Sequence, residues 1–201
     1  GRWQEIPGFQ EKRESYIVSP TPKATYAAMV SRLDRDVGGL VALLEELGLA
    51  NDTVVIFNSD NGAQSNYDVN EVFFEASGPL RGFKGSMYEG GLRVPQIVRW
   101  PGRVEPGTVT DHITYFPDMM PTLAEIAEVD ELPKTDGISF VPELTGKGQA
   151  QHEWLYWELI GGPDRGIVRR GARKGRWKLV QNDMSKPLEV FDLRTDLSET
   201  T

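Results

Sequence analysis

The chain has 201 residues, 39% of them apolar and 26% charged, which describes one ordinary globular domain, or a domain with part of a second, and excludes a disordered segment. Its net charge of −8 excludes general nucleic-acid affinity, because phosphate binding needs a positive field, and no apolar run approaches the ~20 residues that span a bilayer. There is no cysteine, so disulfides, thiolate metal sites and cysteine nucleophiles are excluded within the chain, and His112 and His152 alone are few for an imidazole-rich metal site.

Residues 1–20 are polar and irregular, with no basic-then-apolar leader pattern. Thr21-Pro22 then reads as an N-cap followed by proline in a first turn. From Tyr26 through Met29, Val30, Leu33, Val37, Leu40, Val41 and Leu44 to Leu47, apolar residues recur at intervals of three and four. That spacing predicts an amphipathic helix ended by Gly48, and the pair Gly38-Gly39 inside it predicts close packing on a neighbour. After the turn Asn51-Asp52, the β-branched run Thr53–Phe57 predicts a strand inside a parallel sheet covered on both faces.

The glycine-rich segment 62–93 has little periodicity, and long loops of this kind in compact domains are commonly functional. Val94–Trp100 reads as a strand closed by Pro101-Gly102, and the spacing of Met120, Leu123, Ala124 and Ala127 predicts a short helix within 117–129. The last third changes character. Trp154–Leu159, Gly166–Arg170, Arg176–Gln181 and Leu188–Leu193 are short strand-like runs that predict an antiparallel meander. We place the division near 140, with residues 1–140 in an α/β domain and 141–201 in a small antiparallel β subdomain.

Ligands of open parallel sheets sit at the carboxyl ends of strands, where Asp60 and Asn61 follow Thr53–Phe57. A carboxylate and an amide oxygen are hard donors suited to calcium or magnesium, yet Ser59-Asp60-Asn61-Gly62 is also what an ordinary turn prefers, and spacing alone favours the turn. Lys84, flanked by Gly82 and Gly85, is either a point charge for an oxyanion or a solvated loop lysine. The surrounding fragment is neither a P-loop nor an EF-hand, because the glycine and carboxylate spacings fail. Arg165, Arg169, Arg170, Arg173, Lys174, Arg176 and Lys178 form a basic run. The alternation of Trp177 and Leu179 with Arg176 and Lys178 reads as the solvent face of a hairpin more readily than as an anion site. His112 beside Asp111, and His152 beside Glu153, read as surface or packing residues.

In order along the chain, four stretches resemble the type I, formylglycine-dependent sulfatases of the alkaline phosphatase superfamily. They are YAAMVSRLDRDVGGLVALLEELGLANDTVVIFNSDNG; GPLRGFKGSMYEGGLRVPQIVRWPG; FPDMMPTLAEIAEV with DGIS; and RKGRWKLV with LEVFDLRTD. The closing FDLRTDLSET is similar to the family's Y-D-L-x-x-D-P-x-E, with Leu197 where proline is common. The resemblance implies an α/β fold, the distal part of a mostly parallel alkaline-phosphatase-like sheet with flanking helices, followed by the antiparallel subdomain. It implies that Asp60 and Asn61 ligate a divalent cation, calcium ahead of magnesium, and that Lys84 is catalytic and contacts the sulfate group. Glu89, Gly90 and Gly91 match the motif as residues that shape the loop. Ala63-Gln64 stands where a substrate-contacting histidine often follows.

The family's C/S-x-P-S/A-x-R nucleophile motif has no counterpart. Ser19-Pro20-Thr21-Pro22-Lys23-Ala24 has proline at the wrong offset and no closing arginine, so no nucleophile is assigned. The expectation is therefore the C-terminal portion of a sulfuric ester hydrolase, with the formylglycine and further cation ligands in a missing N-terminal half. In the family, a formylglycine hydrate attacks sulfur while cation and lysine stabilise charge on the sulfate oxygens. The implied partners are a small-molecule or glycan sulfate ester and that missing half. The resemblance suggests an exported, periplasmic or lysosomal protein, and the sequence itself assigns no compartment. A phosphomonoester or phosphonate hydrolase on the same scaffold, and a non-catalytic module derived from a sulfatase, are the alternatives.

Overall fold

The structure is a computed structural model that describes residues 19–65, 69, 72–161 and 168–200. Helix α1 spans Pro22–Glu46, with proline in its first turn as the sequence predicts. Thr21 makes no side-chain cap; its own N–H instead donates to Ser19 Oγ at 3.1 Å. The predicted packing at Gly38-Gly39 is not found, since a Cβ at either position would meet nothing and no α1 residue is buried. Met29, Leu33, Leu40 and Leu47 stand exposed along the stripe, while Val37, Val41 and Leu44 are half-buried. A single helix cannot cover its own apolar face, and the described residues supply no second layer for it.

Strand β1, Val55–Asn58, has no parallel neighbour among the described residues. Among the described residues it pairs only with β2, Gln96–Arg99, and antiparallel, with Ile56 opposite Val98 and Asn58 opposite Gln96. The connection between them folds back on itself instead of crossing over, so β2 returns in the opposite direction. All four β1 residues are half-buried, as expected where a strand keeps one unpaired edge. Parallel neighbours for β1 would have to come from other segments.

Helix α2, Glu89–Leu92, is one turn within the glycine-rich connection. A 3-10 turn at Phe116–Asp118 runs into α3, Met119–Ile126, which places a helix where one is predicted, with Ala124 of the predicted apolar set turned inward and Met120 and Leu123 not. Met120 and Leu123 are 45% and 48% exposed, whereas Asp118 and Thr122 are buried. The reason is polar. Asp118 accepts from Tyr115 N–H, Ile138 N–H and the His152 ring, and Thr122 Oγ1 links the Asp118 carbonyl to Phe140 N–H. His152, 2.8 Å from Asp118, is thus a packing residue, as expected.

After α4, Val141–Leu144, come β3, Leu155–Ile160, β4, Val168–Lys174, β5, Trp177–Gln181, and β6, Glu189–Asp192. They form the predicted antiparallel meander in the order β3-β4-β5-β6. Its inner face buries Val180, Phe191 and Leu193 against Met87, with Tyr88, Leu92 and Trp157 packed around them. The core therefore joins the meander to the segment that carries α2. No helix among the described residues is long and apolar enough to cross a membrane.

Candidate functional site: the Asp60 and Lys84 loops

Beyond β1 the chain turns through local bonds: Ser59 Oγ donates to the Asn61 carbonyl at 2.9 Å, and Asn61 Nδ2 donates to the Gly62 carbonyl at 3.0 Å. Committing its amide nitrogen this way leaves Asn61 Oδ1 without a partner among the described residues, and the exposed Asp60 carboxylate likewise makes no bond there. The stretch is a turn by its bonding, and the turn presents two hard oxygen donors.

Two backbone bonds join this turn to the lysine segment. Gly62 N–H donates to the Gly91 carbonyl at 3.0 Å, and Lys84 N–H donates to the Ala63 carbonyl at 2.8 Å. Glycines make the approach sterically feasible. A Cβ on Gly62 would lie 1.8 Å from the Gly90 carbonyl oxygen, one on Gly90 2.3 Å from Gly82 O, and one on Gly91 2.3 Å from Ser86 O. Gly82 and Gly85, at φ of 84° and 88°, adopt left-handed turns on either side of Lys84. Lys84 itself is exposed and forms no ion pair among the described residues. An open hollow of about 610 Å³ lies beside these loops, lined by Ser59, Asn61, Ala63, Gln64, Gly90 and Arg93. A larger one, about 1320 Å³, runs along β2, residues 100–114 and β3–β4 and includes none of Asp60, Asn61 and Lys84.

As a cation site the donor set fits in kind: a carboxylate and an amide oxygen, both without partners among the described residues, suit calcium or magnesium. It falls short in number of the about six to eight oxygens calcium takes. No group of three or more His, Cys, Asp or Glu able to hold a metal occurs among the described residues.

The meander grips the lysine segment residue by residue. Arg169 Nη1 donates to the Gly85 carbonyl, and Met87 N–H donates to Asn182 Oδ1 at 2.7 Å. Tyr88 Oη donates to Glu189 Oε2 at 2.5 Å, with the Arg81 guanidinium 3.9 Å over its ring. Burial, then the Glu189 bond, pushes the Tyr88 hydroxyl pKa upward. Glu89, 3% exposed, takes Lys178 Nζ at 2.7 Å and Arg173 Nη1 at 3.5 Å.

This overturns the reading of Lys178 as a solvent-facing residue. Lys178 is 0% exposed and Trp177 is 45% exposed, so the alternation runs with the opposite parity. Lys178 faces inward beside Val180 because Glu89 waits there with a compensating charge. Arg173 shares Glu89 with Lys178, and the other described members of the basic run have other partners. Arg170 pairs with Glu158 at 2.9 Å, Lys174 with Glu153 at 2.8 Å and Arg176 with Asp192 at 3.4 Å, and Arg165 lies outside the described residues. Residue patterning missed Lys178, Arg169 and Glu199. The available signals were a lysine at a core-parity position of β5 and a glutamate near the end of the final motif-like stretch.

Sequence comparison matches residues 5–129 to the family model described as Sulfatase and residues 82–201 to N-sulphoglucosamine sulphohydrolase, C-terminal. Mouse (Mus musculus) steryl-sulfatase is 41% identical over 137 residues, covering 65% of this chain and 22% of that protein. A sulfatase of Formosa agariphila is 34% identical over 200 residues, covering 89% of this chain and 35% of that protein. An N-acetylglucosamine-6-O-sulfatase of Bacteroides thetaiotaomicron is 28% identical, covering 87% of this chain and 30% of that protein. The chain thus spans about a third or less of these relatives. Among solved structures, Ps i-CgsB in complex with a neocarrahexaose is similar at a TM-score of 0.75 and 28% identity, over 92% of this chain and 39% of that one. The phosphonate monoester hydrolase SpPMH of Silicibacter pomeroyi shares the fold at a TM-score of 0.64 and 23% identity, over 89% of this chain and 38% of that one.

Proposed function

Since the chain belongs to the sulfatase family, we propose that it is the C-terminal portion of a sulfuric ester hydrolase, with Asp60, Asn61 and Lys84 as its share of the active site. Residues 1–140 would belong to the catalytic α/β domain and 141–201 to a small antiparallel subdomain. Asp60 and Asn61 would hold a divalent cation, calcium ahead of magnesium. When bound, that cation supplies Lewis-acid stabilisation of charge on the sulfate oxygens. Lys84 donates to a sulfate oxygen and offsets the negative charge the sulfate group carries while the nucleophile approaches and the ester electron pair leaves with the alcohol oxygen. The nucleophile, a formylglycine, comes from a segment outside this chain, and so do the remaining cation ligands.

The observation that carries this reading is the Lys84 N–H bond to Ala63 at 2.8 Å, which ties the lysine loop to the turn bearing both oxygen donors. A sulfated sugar is the proposed substrate class, because similar proteins include an N-acetylglucosamine-6-O-sulfatase and Ps i-CgsB, whose structure is in complex with a neocarrahexaose.

The test joins this chain to a nucleophile-bearing sulfatase segment and compares Lys84→Ala with the parent. The parent is expected to hydrolyse an aryl sulfate, and the variant to lose roughly 100-fold or more in kcat. Preference for a phosphate monoester or a phosphonate would favour the hydrolase alternative. The 201-residue chain alone is expected to show no turnover above its Lys84→Ala control. Turnover there would refute the division of labour.

A further inference from the structure

Glu199 combines three features that ordinary loop residues lack. It is 0% exposed, its backbone stands at φ 51°, and its Oε1 is buried without a hydrogen-bond partner among the described residues. Left-handed backbone at a non-glycine residue is strained and persists only where surroundings over-determine it. The surroundings are two bonds that reach one loop. Glu199 Oε2 accepts the Glu89 N–H at 2.7 Å, and the Glu199 carbonyl accepts Arg81 Nη1 at 2.6 Å. Arg81 and Glu89 are the two ends of the segment that carries Lys84. Between them, Gly90 N–H closes back on the Arg81 carbonyl at 2.8 Å, and the α2 turn lies against the carbonyls of Gly82, Phe83 and Ser86.

We propose that Glu199 is a positioning residue for Lys84: it clasps the 81–89 loop at both ends and so sets where the lysine stands over the Asp60 turn. The role attached to Lys84 rests on the sulfatase reading; the clasp itself does not. Glu199 touches no substrate and acts through Arg81 and Glu89. The groups that face it are Glu89 of α2, Lys178 of β5 and Arg81, with Arg173 of β4 and Glu189 of β6 behind them through Glu89 and Arg81. Burial, countered in part by the Glu89 N–H and by Lys178, raises the Glu199 carboxyl from 4.5 to about 7. The clasp is therefore expected to loosen as pH rises through that value, because the ionised form gains most from solvation when the loop opens.

Amide hydrogen exchange on the full chain tests this, with rates corrected for their intrinsic pH dependence and read at Lys84, Glu89 and Gly90. Glu199→Ala is expected to lower protection at these amides roughly tenfold or more, as for a buried donor left without an acceptor, while Val180 in β5 keeps its own. Glu199→Gln restores an acceptor and is expected to hold protection within about threefold. It should also abolish the roughly tenfold or larger fall that the parent shows between about pH 5 and 8. Unchanged protection in a folded Glu199→Ala chain, or a Glu199→Gln chain with the parent's pH dependence, overturns the clasp. If Glu199→Ala does not fold, the parent and Glu199→Gln decide it alone. No sulfate chemistry enters this readout. The role of Lys84 is checked separately by titrating inorganic sulfate against this chain joined to a nucleophile-bearing sulfatase segment, with and without Lys84→Ala: sulfate binding by the joined parent that Lys84→Ala leaves unchanged would sink the sulfate role of Lys84 while leaving the exchange result standing.

Discussion

One carbon added at Gly62 would stand 1.8 Å from a backbone carbonyl oxygen of Gly90, with no flexible side chain to yield. Gly62→Ala is therefore expected to push the two site loops apart and to cost about 1–3 kcal/mol in urea unfolding, the range of overpacking. Gly146, with open space beside it but φ of 69°, makes a control in which conformational strain alone acts. Lys178 is the second decisive residue. Lys178→Met leaves the buried Glu89 carboxylate with only the longer 3.5 Å contact to Arg173 and should cost up to roughly 3–5 kcal/mol. The double variant Lys178→Met with Glu89→Leu should recover much of that loss, because a buried pair replaced by apolar groups is often near neutral. A double variant no more stable than Lys178→Met, measured by thermal or urea unfolding, would show that Glu89 is not the partner that matters. At this scale the sequence exposed the donors Asp60 and Asn61 through their residue types. It hid the Glu89–Lys178 pair, because 89 residues separate its members and only pairing register decides which face of β5 turns inward.

Elements were legible where a local period identified them. The α1 stripe, the β4–β5 hairpin and the helix near 117–129 all follow from spacings of three, four or two, because those periods are properties of the local backbone. Faces and partners were less legible. Met120 and Leu123 of α3 point outward while Asp118 and Thr122 turn in beside Ala124, since one buried carboxylate satisfies two backbone N–H groups and a histidine. β1 is rich in β-branched residues as a buried parallel strand would be, yet its only described partner is antiparallel. Composition reports burial; it cannot report direction. The contrast between α1 and the meander is testable. Leu40→Ser, at a side chain 64% exposed, should change stability of this chain by no more than about 0.5 kcal/mol. Val180→Ala, at a side chain 0% exposed, should cost roughly 1–3 kcal/mol in the same urea assay.

At the scale of the whole molecule, charge and burial combine in one pH-dependent quantity. The folded chain holds the Glu199 proton up to about 7, against 4.5 for the free side chain. Between those values the folded state binds more protons than the unfolded one, so this contribution to stability is complete below the lower value and lost as pH rises through the upper. Urea unfolding at about pH 5 and pH 8 should show a fall in the parent larger than that of Glu199→Gln by roughly 2–3 kcal/mol. Equal falls would show that another group sets the slope. The cation belongs to this scale too. With two donors of the about six to eight required, the chain alone should bind calcium only weakly, at millimolar Kd or worse by calorimetry. Submicromolar binding would mean that further ligands lie within this chain.

By itself the sequence determined what local chemistry determines. It set the helix and strand periods, the glycines, the oxygen-rich turn after β1, the lysine between two glycines, and, through its motifs, membership of the sulfatase family. Tertiary structure decided what depends on distant residues meeting: that Lys84 binds back to Ala63, that Lys178 turns inward to Glu89, and that Glu199 closes on Arg81 and Glu89. The physical reason is one of range. Propensity and periodicity act over a few bonds, whereas burying a charge is tolerated only where a partner of opposite sign arrives from elsewhere in the chain.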